Sequence, residues 1–109
     1  MMELSDVEKL KKYETENDLV KVVQEIDDKI AFRGYNKEQV LYLVNGIIKI
    51  DLLAVKYETR EEILHLLCDA LSYHDISNCV NWARIVDIKD KLEDDLKEYV
   101  EEFIENAVM

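Results

Sequence analysis

The sequence predicts an all-α fold: a compact bundle of four to five helices with a long C-terminal helix, in a single domain over residues 1–109. Three observations predict it. Breakers are scarce, with no proline and only two glycines, Gly34 and Gly46, so long helices and few tight turns are expected. Capping-box signatures recur along the chain. Apolar residues return at steps of three and four, the period of a helix with one buried face. A chain of 109 residues makes one domain and buries well over half of its unfolded surface.

Ser5-Asp6-Val7-Glu8 is the first capping box, and Leu4, Val7, Leu10 and Tyr13 recur around it at helical spacing. "TEND" at 15–18 reads as a break or as a polar turn of one longer helix. Leu19, Val22, Val23, Ile26 and Ile30 then continue the apolar stripe. Arg33-Gly34 reads as the helix end, with glycine just past it.

"YLVNGIIKI" at 42–50 is the ambiguous stretch. Asn-Gly between apolar runs signals a β-hairpin. Asn36 with Gln39 three residues on is a capping box, and Tyr35 with Val40 suits a hydrophobic staple. On a helix from 37 to about 56, Glu38, Tyr42, Asn45, Lys49 and Lys56 share one stripe, opposite Leu41, Val44, Ile47, Ile48 and Leu52. As strands, residues 40–44 would be apolar on both faces, in an isolated ribbon of marginal stability. The helix is therefore preferred. Gly46 costs it about 1 kcal/mol in propensity, which suggests a close neighbour there. Asp51 lies off the polar stripe and marks a boundary or a partner.

Thr59-Arg60-Glu61-Glu62 offers a third capping box. Ile63, Leu66, Leu67, Ala70 and Leu71 form the buried face of a helix ending near Tyr73-His74. Asp75 or Ser77 caps a last helix that nothing interrupts before about Ala107. Ile85, Ile88, Leu92, Leu96, Tyr99 and Phe103 are its apolar stripe. Such a helix outruns its neighbours, so its overhang is either a frayed acidic tail or a contact in a homodimer.

The net charge is −11, unevenly placed. Residues 1–60 carry 12 acids and 10 bases; residues 61–109 carry 13 acids and 4 bases. A negative field repels nucleic acid and acidic membranes and speeds association with basic partners. The polar, acidic N-terminus lacks the order of a signal peptide, and no stretch has the length of apolar sequence a membrane span needs. Cys68 and Cys79 are then expected as free thiols in a reducing cytoplasm.

Five constellations carry the functional argument. His65, Cys68, His74 and Cys79 invite a zinc reading, but their spacing matches no standard zinc module. Glu62 and His65 have the E-x-x-H spacing of ferritin-like sites, without the second motif those sites need. No metal or other cofactor is expected. Cys68, His65 and Asp69 are close in sequence, but adjacent side chains on a helix diverge, and no glycine-rich loop offers an oxyanion hole or phosphate cradle. No enzyme and no catalytic residue are expected. Trp82, with Tyr73 and Tyr99, suits either a binding hot spot or the core, and the core is the plainer choice.

The fifth constellation is "DIKDKLEDDLKEYVEEFIE", residues 87–105, with nine acids and three lysines. On one helix, Asp87, Asp94, Glu98, Glu101 and Glu105 fall in a narrow arc opposite the apolar stripe. Like charges at this spacing weaken a helix slightly, so folding alone does not favour them. They form either a solvated face or a contact ridge for a positively charged partner, and they are the candidate partner-binding residues.

"ETREEILHLLCDALSYHD" resembles in general character the acidic helical immunity proteins that neutralise bacterial nuclease toxins. In those, a glutamate-rich helix precedes a short segment with paired tyrosines. That pair is absent here, and the C-terminal helix has no counterpart there. The likeness is one of character and implies no membership.

The function expected is a small acidic helical binding protein. It inhibits a basic, nucleic-acid-handling partner by steric and electrostatic occlusion, as a toxin immunity protein or a phage anti-defence inhibitor. The charge pattern suits mimicry of nucleic acid rather than binding to it, because basic residues do not cluster. The alternative is a self-associating helical structural or regulatory module.

Overall fold

The computed structural model describes residues 12–32, 34–74, 76 and 82–106, with side chains described up to 102. The described residues form five α-helices and no strand. They are α1 (Glu16–Ala31), α2 (Lys37–Ile47), α3 (Tyr57–Tyr73), α4 (Ala83–Val86) and α5 (Asp94–Asn106), with a 3₁₀ turn at Lys89–Lys91 between the last two. The all-α bundle is as the sequence predicts. No helix among the described residues is long and apolar enough to cross a membrane.

Helix α1 begins at "TEND". The Thr15 side chain accepts the Asp18 backbone N–H at 3.1 Å, an N-cap that separates α1 from whatever precedes it. The Ser5 box, with Leu4, Val7 and Leu10, lies outside the described residues. At the other end the Gly34 N–H reaches back to the Lys29 carbonyl at 2.7 Å, the long bond of a Schellman-type closure. A Cβ at Gly34 would sit 3.3 Å from that carbonyl oxygen, so the close return favours glycine. Arg33 lies outside the described residues.

The Asn-Gly stretch is helical. Asn36 and Gln39 form the complete capping box, each side chain accepting the other's backbone N–H at 2.9 Å. Val40, Leu43, Val44 and Ile47 are buried, and Tyr42 is exposed. Two expectations need correcting. The helix stops at Ile47 rather than near residue 56; Ile48 and Leu52 are buried all the same, so the apolar stripe continues through a turn instead of a helix. Asp51 holds that turn: its side chain accepts the Leu53 N–H at 3.0 Å, and its carbonyl accepts the Ala54 N–H at 3.1 Å. Nor is Gly46 kept by a close neighbour, since it is exposed and a Cβ there would meet nothing within 4 Å.

The capping box proposed at Thr59 is also corrected. Thr59 is the third residue of α3 and is 1% exposed, while Lys56 takes the N-cap position without a side-chain cap of its own. The group that serves this terminus comes from another helix: Glu16 Oε1 accepts the Lys56 N–H at 2.8 Å. Helix α3 buries Ile63, Leu64, Leu66, Leu67, Cys68 and Ala70 and ends at Tyr73, with His74 as C-cap.

The long C-terminal helix is not what the described residues form. Instead of one helix reaching Ala107, the chain makes the single turn of α4, the 3₁₀ turn, an extended residue at Leu92, and then the 13 residues of α5. The caps proposed at Asp75 and Ser77, and Ala107 itself, lie outside the described residues. One physical reason bears on the break. Trp82, Ile85, Leu92, Leu96 and Val100 are all buried, but they would share one face of an unbroken helix too, so charge and not burial distinguishes the two. Asp87, Asp90, Glu93 and Asp94 would repel one another along an unbroken helix. Broken, the chain places Asp94 and Asp95 in the first turn of α5, where the helix dipole favours acids. Helix α5 spans only about 20 Å at 1.5 Å per residue, so the overhang argument for a dimer lapses.

Helix α1 packs most extensively on α3, and α3 on α5. This three-helix stack builds the site described next.

Candidate functional site: the acidic face around His65 and Tyr99

Helix α3 projects Glu58, Glu61, Glu62, His65 and Asp69 from the side its leucines leave free. Helix α1 meets that side with Asp27 and Asp28, and α5 with Asp95, Glu98, Tyr99 and Glu102. Two open grooves result. One, of about 490 Å³, is lined by Gln24, Asp27, Asp28, Glu61, Glu62, His65 and Tyr99. The other, of about 330 Å³, is lined by Glu61, Asp95, Glu98, Tyr99 and Glu102. They share Glu61 and Tyr99, and no lysine or arginine lines either.

At the α1–α3 contact, His65 Nδ1 lies 2.7 Å from Asp27 Oδ2 and 3.6 Å from Asp69 Oδ2. His65 and Asp69 are four residues apart, so they share a helix face. Asp27 comes from the edge of the buried stripe of α1 and is 7% exposed. Its second oxygen, Oδ1, is buried without a hydrogen-bond partner among the described residues. Tyr99 meets His65 edge to face, with ring centroids 6.4 Å apart and planes at 89°.

Burial, followed by the neighbouring Asp69, pushes the Asp27 carboxyl up to about 7, against the pull of His65. Partial burial lowers the His65 value, but the Asp27 hydrogen bond and the charges of Asp27, Asp69 and Glu62 outweigh it and raise it. Burial also raises Tyr99. Tyr57 donates its hydroxyl to Asp95 and lies 3.5 Å from Glu61, and the Asp95 bond leads the causes that raise it.

The sequence-predicted site residues divide. Asp94, Glu98 and Glu101 are exposed on α5. Glu105 belongs to α5, but its side chain, like that of Phe103, lies outside the described residues. Asp87 is exposed at the C-cap of α4, on another element, so no single helix carries all five. Asp94 is 3.4 Å from Lys97, and Glu101 is 3.5 Å from Lys89. Glu98 has no ion pair among the described residues and lines the second groove.

Cys68 is buried, with its thiol 3.8 Å from the Tyr99 carbonyl. Burial first, then the Glu102 hydrogen bond and charge, raises that thiol and leaves it a poor nucleophile. His74 caps the end of α3, and Cys79 lies outside the described residues. Trp82 is 1% exposed and belongs to the core. Sequence reasoning missed Asp27. Its signal was a carboxylate four residues after Val23 and three before Ile30, at the margin of an apolar stripe, where a charge needs a partner.

Comparison with family models, with curated proteins and with solved structures finds no match for this chain.

Proposed function

We propose that the protein is a small acidic binding protein that docks its α3–α5 face on a basic, nucleic-acid-handling protein and occludes it. The observation that carries this reading is the pair of grooves around Tyr99, walled by carboxylates from three helices with no lysine or arginine among them. A face of this sign steers a positive partner towards it and offers an aromatic ring at its centre. Immunity to a nuclease toxin and phage blocking of a host defence enzyme are the two settings that need such an inhibitor.

The test is affinity capture from the source-cell lysate at low and high salt, using the native chain and a Glu98→Lys, Glu101→Lys double variant. Both residues are exposed, so the variant keeps the native fold, as unchanged circular dichroism checks. The native chain retains a basic protein at low salt. That protein is lost in the double variant and near 1 M salt, where the screening length falls to about 3 Å. Retention that neither salt nor charge reversal changes would overturn the reading.

A further inference from the structure

We propose that Asp27, His65 and Asp69 form a binding site for one divalent first-row transition-metal ion. The proposal does not rest on the binding-protein reading, and the two fail separately.

The geometry comes first. One ligand atom from each of the three residues lies within 4.8 Å of the other two. His65 Nδ1 stands 2.7 Å from one carboxylate oxygen and 3.6 Å from another. An octahedral ion with bonds of about 2.1 Å sets neighbouring ligands about 3.0 Å apart, a value those two distances bracket. The donors come from two packed helices, Asp27 from α1 and the i,i+4 pair from α3. Small side-chain rotations therefore suffice to close them on an ion.

The second observation concerns Asp27 alone. Its side chain is 10% exposed and faces His65 on the groove wall, and its Oδ1 is buried with no partner among the described residues. A carboxylate at this depth is stable only with a compensating charge or full hydrogen bonding. His65 is the one side chain of the groove wall able to supply positive charge, and it faces two carboxylates at once. A divalent ion would supply the missing charge and give Oδ1 a partner. Imidazole suits zinc and cobalt, and carboxylates suit manganese and magnesium, so a mixed set of one nitrogen and two oxygens selects the borderline ions. The groove of about 490 Å³ leaves room for waters on the open coordination positions. The Tyr99 ring packs against the imidazole at right angles beside the donor set.

The experiment titrates the chelator-treated full chain with Co²⁺ and then Zn²⁺, by calorimetry and, for Co²⁺, by visible absorption. Moderate salt is present to suppress diffuse uptake by the acidic surface. The expected result is one saturable ion per chain with a cobalt ligand-field band. Asp27→Asn, His65→Gln and Asp69→Asn should each weaken uptake by about tenfold or more. Glu98→Gln with Glu101→Gln should leave it within about twofold, because those residues lie outside the donor set. The asparagine and glutamine replacements keep side-chain volume, and native circular dichroism in each variant confirms that the fold persists. Uptake that the Glu98, Glu101 variant weakens as much as His65→Gln does would be ion condensation on a negative surface, and would overturn the proposal. Absence of any saturable uptake would overturn it too, leaving the carboxylates to share a proton.

Discussion

Asp27 shows how a single residue couples this fold to its solution conditions. Its folded value is raised from 3.8 to about 7, so the folded chain binds that proton more tightly than the unfolded one. The stability this lends is present at low pH and fades as pH rises from about 4 through about 7. His65 is raised as well, so its contribution is also full below the ordinary histidine range and is lost above its folded value. In chelator, denaturant unfolding should therefore show stability falling between pH 5 and pH 8, and Asp27→Asn should flatten most of that slope. Gly46 gives a second residue-scale prediction. It is exposed within α2, in open space, so Gly46→Ala should raise the unfolding free energy by about 0.5–1 kcal/mol. An unchanged or lower denaturation midpoint would mean that the glycine serves something besides the helix.

At the scale of elements, the joint between α2 and α3 depends on Arg60. Its guanidinium donates to the Leu52 carbonyl at 2.8 Å, to the Val55 carbonyl at 2.9 Å and to Glu93 at 2.7 Å. One side chain thereby fixes the turn before α3 and the residue before α5. Arg60→Ala should cost about 2 kcal/mol, because it strands partly buried carbonyls as well as removing an ion pair. Glu93→Gln, which keeps an oxygen acceptor for Arg60 and strands no carbonyl, should cost clearly less by the same measurement. The elements also show what the sequence could and could not reveal. Helix α2 began where its capping box and staple residues said, because those signals act within four residues of chain. The start of α3 was misread because its cap is Glu16, 40 positions away. The end of α2 and the break before α5 were missed for a related reason. Neither Gly nor Pro marks them, and Leu52 and Leu92 keep the helical apolar period across both breaks. The acids of α5 were legible as a group, but their gathering around Tyr99 with Glu61 depended on helix packing that no local pattern encodes.

The whole molecule carries a net charge of −11 on 109 residues. Self-repulsion of that size opposes compaction, and the α3–α5 face gathers carboxylates with no lysine or arginine in its grooves. Raising sodium chloride from about 10 mM to 0.1 M shortens the screening length from about 30 Å to about 10 Å. It should raise the melting temperature, and Glu98→Lys with Glu101→Lys should shrink that gain. A melting temperature that falls with salt would mean that attractive pairs such as Arg60–Glu93 dominate instead.

The two long-range ties at the α2–α3 joint also bear on the order of assembly. Glu16 reaches Lys56 across 40 positions, and Arg60 reaches Glu93 across 33. The bonds of Asp51 can shape the turn at 48–56 locally, but it is locked only when α1 and the chain before α5 have both arrived at α3. By this logic it is the last part of the fold to be secured and the first to open. Its amides would then exchange with solvent hydrogen through openings smaller than global unfolding, and a protease given the native chain would make its first cut there.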